Sequence, residues 1–209
     1  PHGRLFNELE VEQFSKLASP FTAGDKVLEV GCGTGRFIGL ALDTGAIAYG
    51  LDASPHMLAI AREKLTKGAH AFFVLGEGSA LCFEEASFDY VYSIRTINQL
   101  PSREYAFMAI EEMIRVCRPG GAVLLEFINR WGLNRFGKSV RMSVGDIQSL
   151  VARHHSVRVA HVAGILAFST RAMSMTPVRL LGAFGKVDRL VARCLPALCA
   201  RCYVLLEKD

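Results

Sequence analysis

The chain has 209 residues, of which 51% are hydrophobic, and a formal net charge of +4; these values suit one globular domain and exclude a collagen-like repeat or a disordered chain. A mean hydropathy of +0.26 is oily, yet the longest apolar runs, such as 162–168, are far too short to cross a bilayer. Lys and Arg are scattered rather than gathered in a block, so no nucleic-acid partner is expected.

The chain opens on Pro1 with no methionine and no secretory pattern, which predicts that residues upstream have been removed or are not included in the sequence. Leu5, Leu9, Phe14 and Leu17 mark an amphipathic helix closed by the Ser19-Pro20 break, lying over the sheet or lidding a site. Short apolar runs at 26–30, 46–51, 71–75, 88–93 and 122–127 then alternate with stretches of helical period at 35–44, 55–67 and 103–116. That alternation is the signature of βαβ units and a largely parallel sheet. An irregular stretch follows, holding Arg130, Trp131, Asn134 and Arg135, after which Ser143-x-x-Asp146 resembles a capping box opening a helix to about His154. Runs at 157–163 and 203–207 predict two more strands, an antiparallel hairpin at the sheet edge. Between them a helix is predicted to start with Thr176 as N-cap and Pro177 at N1.

In that last helix Val178, Leu181, Phe184, Val187, Leu190 or Val191, and Cys194 form an apolar stripe, with Arg179, Lys186, Arg189 and Arg193 largely off it. The first reading of the stripe is packing on the sheet or on a second copy of the chain. The alternative is that 165–175 and this helix roof an apolar acceptor pocket or rest on a membrane surface. Six cysteines without disulfide-scaffold spacing predict reduced thiols and a cytoplasmic protein. Cys199 and Cys202, three apart on an extended strand, point to opposite faces, so with Cys194 they are read as core thiols and no metal site is expected.

Residues 27–37 carry the chemistry: a buried strand runs into Gly31, Gly33 and Gly35 and then a helix. Glycine permits positive φ and lets a ligand lie against the backbone, while the helix N-terminus offers free N–H groups. A dinucleotide fingerprint requires G-x-G-x-x-G/A, and the sixth position from Gly31 is Arg36, which disfavours NAD. Tyr49-Gly50-Leu51-Asp52 ends the second strand with a carboxylate able to accept from both hydroxyls of a ribose. Alone, the glycines would make an ordinary tight turn; Asp52 at this distance argues for an adenosine-like guest.

These residues resemble motif I of the class I S-adenosylmethionine-dependent methyltransferases, and the likeness continues along almost the whole chain. Val74-Leu75-Gly76-Glu77-Gly78-Ser79-Ala80-Leu81-Cys82-Phe83 resembles the family's G-D-A-x-x-L-P-F stretch, Ser87-Phe88-Asp89-Tyr90-Val91 its S-F-D-x-V strand, and Arg118-Pro119-Gly120-Gly121 its R-P-G-G turn. The bacterial quinone and small-molecule branch is nearest, including Glu126-Phe127-Ile128-Asn129-Arg130-Trp131. The resemblance implies an α/β, Rossmann-like three-layer sandwich whose seven-stranded, mostly parallel sheet has an antiparallel C-terminal strand. It implies one domain over 1–209, with a lid helix at 1–19, a cofactor core at 20–128, and C-terminal strands with a helical insertion near the acceptor at 129–209. S-adenosylmethionine is the implied cofactor, S-adenosylhomocysteine the product, and a small apolar or aromatic molecule the acceptor.

By the same resemblance Glu29 orients the methionine ammonium, and the backbone of Gly31, Cys32, Gly33, Thr34 and Gly35 wraps the methionyl and ribose portions. Asp52 holds the ribose; Glu77, where the family usually has aspartate, meets the adenine amino group, and Gly78 offers its N–H to the ring. Ala53 and Met57 border the adenine, and Ser93, Ile94 and Arg95 the sulfonium.

Methyl transfer from a sulfonium is an in-line displacement, so positioning supplies much of the acceleration, up to roughly 7 to 11 kcal/mol, and a dedicated base is optional. Candidates for acceptor contact are Arg95, Asn98 and Gln99 after the fourth strand, Tyr105 beyond it, and Asn129 and Arg130 after the fifth. Each also has a plain reading as a solvated loop charge or a turn-bonded amide. His56, His154, His155 and His161 are read as capping, solvent-facing or structural. The chain has neither the Asn/Asp-Pro-Pro-Tyr/Phe turn of amino-methylating DNA enzymes nor a Pro-Cys pair for cytosine C5 chemistry. Two rivals remain: a non-catalytic adenosyl-binding module and a nucleotide-dependent oxidoreductase.

Overall fold

The computed structural model describes residues 2–18, 21–65, 70–132, 139–166 and 174–209. In chain order these form α1 (His2–Leu17), β1 (Lys26–Val30), α2 (Arg36–Leu42), β2 (Ile47–Asp52), α3 (Pro55–Leu65), β3 (Ala71–Leu75) and β4 (Phe88–Ser93). There follow α4 (Arg103–Val116), β5 (Cys117–Ile128), α5 (Val144–Val151), β6 (Val157–Ile165), α6 (Leu181–Cys194) and β7 (Arg201–Lys208). Short 3₁₀ turns stand at Ile97–Gln99, Val178–Leu180 and Pro196–Leu198.

The sheet order is β3-β2-β1-β4-β5-β7-β6, with every neighbouring pair parallel except the two that β7 makes. Because side chains alternate across a strand, Val27, Tyr90, Tyr92 and Leu124 face one side, where α1, α2 and α3 bury Leu9, Phe14, Phe37, Ile38 and Leu58. Leu28, Val91, Val123 and Leu125 face the other, against Ile110 and Met113 of α4 and Ile147 and Leu150 of α5. The result is the expected three-layer α/β sandwich. Strand order reverses between β1 and β4, and an open sheet takes its ligands in the crevice beyond the carboxyl ends of the strands at such a switch point.

Local signals set several boundaries. Ser102 accepts from the Tyr105 amide and starts α4, and Ser143 with Asp146 makes the reciprocal capping box that starts α5. Elsewhere the expectations shift. The helix after the glycine turn begins at Arg36, because Gly35 is its left-handed N-cap with φ 77°. The second strand runs 47–52, and the fifth starts at Cys117 rather than 122, with a register slip opposite Phe88 and Tyr90 that absorbs the Arg118–Gly121 turn. The two terminal strands do pair antiparallel, with β7 inserted between β5 and the edge strand β6.

The C-terminal helix departs most. Pro177, at ψ 139°, is extended and precedes a 3₁₀ turn, so α6 starts at Leu181 and not at a Thr176 cap. Its buried face is Leu181, Gly185, Asp188 and Ala192, whereas Val187 and Leu190 of the predicted inward stripe are 49% and 65% exposed. Close approach of α1 marks this face: a Cβ on Gly185 would stand 3.2 Å from Leu5 Cδ1. Asp188 also turns inward, where Oδ2 accepts the Leu166 amide at 3.0 Å. Cys199 and Cys202 are buried, as expected of core thiols, although Cys199 lies in the turn before β7 rather than on it; Cys194, read with them, is instead exposed at the end of α6. The Ser19-Pro20 break, the helix end at Lys67, Asn134, Arg135 and positions 167–173 of the expected roof lie outside the described residues. Among the described residues, no helix is long and apolar enough to cross a membrane.

Candidate functional site

At the end of β1 the chain turns sharply: the amides of Gly31 and Cys32 both donate to Leu51 O of β2, at 2.7 and 3.0 Å. Gly31 has φ 77°, and a Cβ there would lie 2.1 Å from Thr96 Cγ2, so the position admits only glycine. Thr96 seals this contact by donating to Gly31 O at 2.9 Å. Asp52 ends β2 with its carboxylate pinned from both sides: Gly33 N–H donates to Oδ2 at 2.8 Å and Ser54 N–H to Oδ1 at 2.9 Å. An ionised carboxylate has about four acceptor sites, so the orientation is fixed while sites remain for a ligand.

These residues border a cleft of about 370 Å³ at the switch point. Of the predicted residues it brings together Gly31, Gly33, Asp52, Ala53, Met57, Glu77, Gly78, Ser93, Gln99 and Tyr105. The Tyr105 hydroxyl donates to Glu77 Oε2, joining the start of α4 to the loop after β3. Thr96, Ile97, Leu100 and Met113 also line the cleft and were not foreseen; Thr96 and Ile97 lie between the candidates Arg95 and Asn98. A larger hollow, about 830 Å³, lies between α1, β6 and α6 against Leu9, Ile165 and Ala192. It has neither the glycine turn nor a carboxylate at a parallel strand tip, the two features that the smaller cleft brings together.

The remaining candidates stand elsewhere. Cys32 and Ile94 are buried in the core, and burial pushes the Cys32 thiol far above its ordinary value, which rules it out as a thiolate. Thr34 and Gly35 lie outside the cleft lining. Asn129 is consumed structurally: Nδ2 donates to Ala197 O and Cys199 O at 2.7 and 2.9 Å, and Oδ1 accepts the Trp131 amide. Arg130 places its guanidinium 5.4 Å from the Trp131 ring, and Asn98 accepts from Arg201 at 3.4 Å. Arg95 has φ 62°, gives its N–H to Glu126 Oε2 at 2.7 Å, and turns its side chain toward Phe6 and Glu10 of α1.

Behind the glycine turn lies a buried charge network that local patterns hid. Glu10 of α1 is fully buried and pairs with Arg36 Nη2 at 2.8 Å; its Oε1 has no hydrogen bond, and Arg95 Nε is 3.8 Å away. Glu126 is likewise buried and pairs with Arg201. A glutamate between Leu125 and Phe127 in an apolar strand was a readable signal for a buried partner.

Glu29 does not line the cleft. It is 2% exposed, the Ile38 amide donates to it, and Oε2 has no partner. Burial pushes its carboxyl well above the usual carboxylate range, against a weaker downward pull from Arg36. The folded state therefore holds this proton more tightly than the unfolded chain, and stability falls as pH rises from the ordinary value toward the raised one. Glu29→Gln is expected to make the ligand-free protein more stable at neutral pH and to flatten that dependence. Thermal unfolding from acid to neutral pH checks this; equal midpoints for both proteins across the range would contradict it.

Residues 27–121 match a family described as a methyltransferase domain. Methyltransferase GfsG of Streptomyces halstedii is 34% identical over 108 residues, 50% of this chain and 38% of that protein. The demethylmenaquinone methyltransferase of Staphylococcus aureus (strain JH9) is 38% identical over 106 residues, 48% of this chain and 42% of that one. The chain thus spans less than half the length of the curated relatives it matches. In fold, it is similar to the S-adenosylmethionine-dependent methyltransferase of Mesorhizobium loti, with a TM-score of 0.66 and 18% identity over 94% of this chain and 97% of that one.

Proposed function

From its place among the class I S-adenosylmethionine-dependent methyltransferases, we infer that this chain binds S-adenosylmethionine in the cleft beside Asp52 and passes its methyl group to a small apolar or aromatic acceptor. The observation that carries the reading is the doubly pinned Asp52 carboxylate facing a glycine turn with room above it: a Cβ at Gly33 would meet nothing within 4 Å. The residues suit the cofactor in a second way, because the unpartnered Glu29 Oε2, buried behind the cleft lining, is an acceptor that an ammonium in the cleft meets through water.

The bound cofactor supplies an electrophilic sulfonium methyl with a good leaving group. Asp52 accepts from the ribose hydroxyls, Glu77 and Gly78 meet the adenine edge, and Ala53 and Met57 cover its face. Glu29 orients the methionine end, and Ser93 borders the sulfonium. The acceptor side pairs apolar Ile97 and Leu100 with polar Gln99 and Tyr105, a lining that suits a flat or greasy molecule carrying one polar atom. Helix α1, tied by Glu10 to Arg36, packs on the sheet beside the glycine turn and gives no residue to the cleft lining, so of its two expected places it takes the one over the sheet.

The test is calorimetry followed by turnover. The chain is expected to bind S-adenosylhomocysteine, and to move labelled methyl from S-adenosylmethionine into an organic-extractable product when offered a panel of quinols, phenols and acyl compounds. Tight NADH binding without S-adenosylhomocysteine binding would overturn the assignment. Binding with no transfer to any member of the panel would leave an adenosyl-binding module.

A further inference from the structure

The outward side of α6 is both greasy and positively charged. At 100° per residue, Val187 and Leu190 stand opposite the buried Leu181, Gly185, Asp188 and Ala192, and Lys186, Arg189 and Arg193 form a ridge along one edge of that apolar strip. The flanking turns continue the strip: Val178, Leu180, Leu195 and Leu198 are between 49% and 59% exposed. The only acid of α6, Asp188, is 1% exposed and bonded to Leu166, so every solvent-facing charge of the helix is positive. Arg189 pairs with Glu12 of α1, while Lys186 and Arg193 have no ion pair among the described residues. Trp131, the only tryptophan of the chain, is 60% exposed, and its turn is tied to the Pro196–Leu198 turn by the two hydrogen bonds of Asn129.

We propose that the outward face of α6, with its flanking turns and Trp131, docks on an anionic lipid bilayer. Apolar side chains enter the headgroup boundary, the basic ridge meets the lipid charge, and the 14-residue helix lies in the plane of the surface rather than across it. Charge selects this occupant. A second copy docking through the same face would bring like-charged ridges together, and a nucleic acid would leave the apolar strip in water. Tryptophan and arginine at the margin are the residue types that settle at a membrane–water boundary.

The full chain is mixed with phosphatidylcholine vesicles and with vesicles in which phosphatidylglycerol replaces part of the phosphatidylcholine, and binding is read by flotation and by Trp131 emission. Expected are flotation and a blue shift with the anionic vesicles only, both weakened by salt. Lys186→Gln with Arg193→Gln is expected to lower partitioning by about 30-fold, since each basic residue near such a surface contributes about 1 kcal/mol. Leu190→Glu is expected to abolish binding without changing the thermal midpoint or S-adenosylhomocysteine affinity, because the side chain is 65% exposed and lies outside the cofactor cleft. Three results would overturn the proposal: no flotation with anionic vesicles, equal binding to both vesicle types, or a dimer in sedimentation that Leu190→Glu dissociates.

Discussion

Arg201→Leu lowers the stability of the fold by about 3 to 5 kcal/mol, because it strands a carboxylate in the core. Glu126 is fully buried, and both its oxygens are held by the Arg201 guanidinium, itself only 8% exposed. Burial weighs against the arginine charge, yet Glu126 more than offsets it and leaves the guanidinium above its ordinary range. Removing one partner leaves the other buried without compensation, whereas removing both leaves a neutral site. Glu126→Leu with Arg201→Leu is therefore expected to recover much of the loss. Recovery is incomplete, because Glu126 Oε2 also accepts the Arg95 amide and so supports a left-handed residue at the end of β4. Urea unfolding of the two single variants and the double variant checks this; an Arg201→Leu loss under about 1 kcal/mol would show that the pair adds little.

Asp52→Ala is expected to weaken S-adenosylhomocysteine binding by about 1.5 to 3 kcal/mol, roughly 10- to 150-fold, the scale of hydrogen bonds to a charged group. Two losses combine. The ribose loses its acceptor, and the Gly33 and Ser54 amides lose the carboxylate that holds the turn in shape. Asp52→Asn keeps the volume and one acceptor oxygen, so it should fall between the two. Calorimetry measures the affinities, and a thermal midpoint for each variant separates lost contact from lost fold. Unchanged affinity in Asp52→Ala would remove the ribose from this strand tip, and with it the proposed pose.

The proposed methyl transfer needs no base. No cleft residue was predicted to be an obligatory proton acceptor, and the one thiol beside the glycine turn, Cys32, is held protonated by burial. Gln99 and Tyr105 are the polar groups on the proposed acceptor side of the cleft, and the Tyr105 hydroxyl already donates to Glu77. An acceptor that arrives with its own nucleophilic carbon or oxygen fits this lining, since alignment with the methyl group can then supply most of the acceleration.

How much was legible follows from how far each signal reaches. Strands 26–30, 71–75 and 88–93 and helix 103–116 stand where the apolar period puts them, because that signal acts within a few residues. The Ser143-Asp146 box is a bond across three residues and was equally plain. Gly31 and Asp52 could be paired from sequence because parallel strands joined by one crossover helix bring their carboxyl ends together. Asn129 looked like an acceptor contact and is spent on Ala197 and Cys199, about 70 residues away, which no local pattern announces.

The amino-acid sequence by itself determined the βαβ order, the glycine turn and the acid at the second strand tip, since each depends on backbone propensity and short-range spacing. Only the tertiary structure decided which face of α6 turns inward, and that Glu10 meets Arg36 across 26 residues and Glu126 meets Arg201 across 75. Gly185 faces α1 where a Cβ would stand 3.2 Å from Leu5, Ala192 packs against Cys199, and buried charges find partners wherever packing brings them, not where the chain is near.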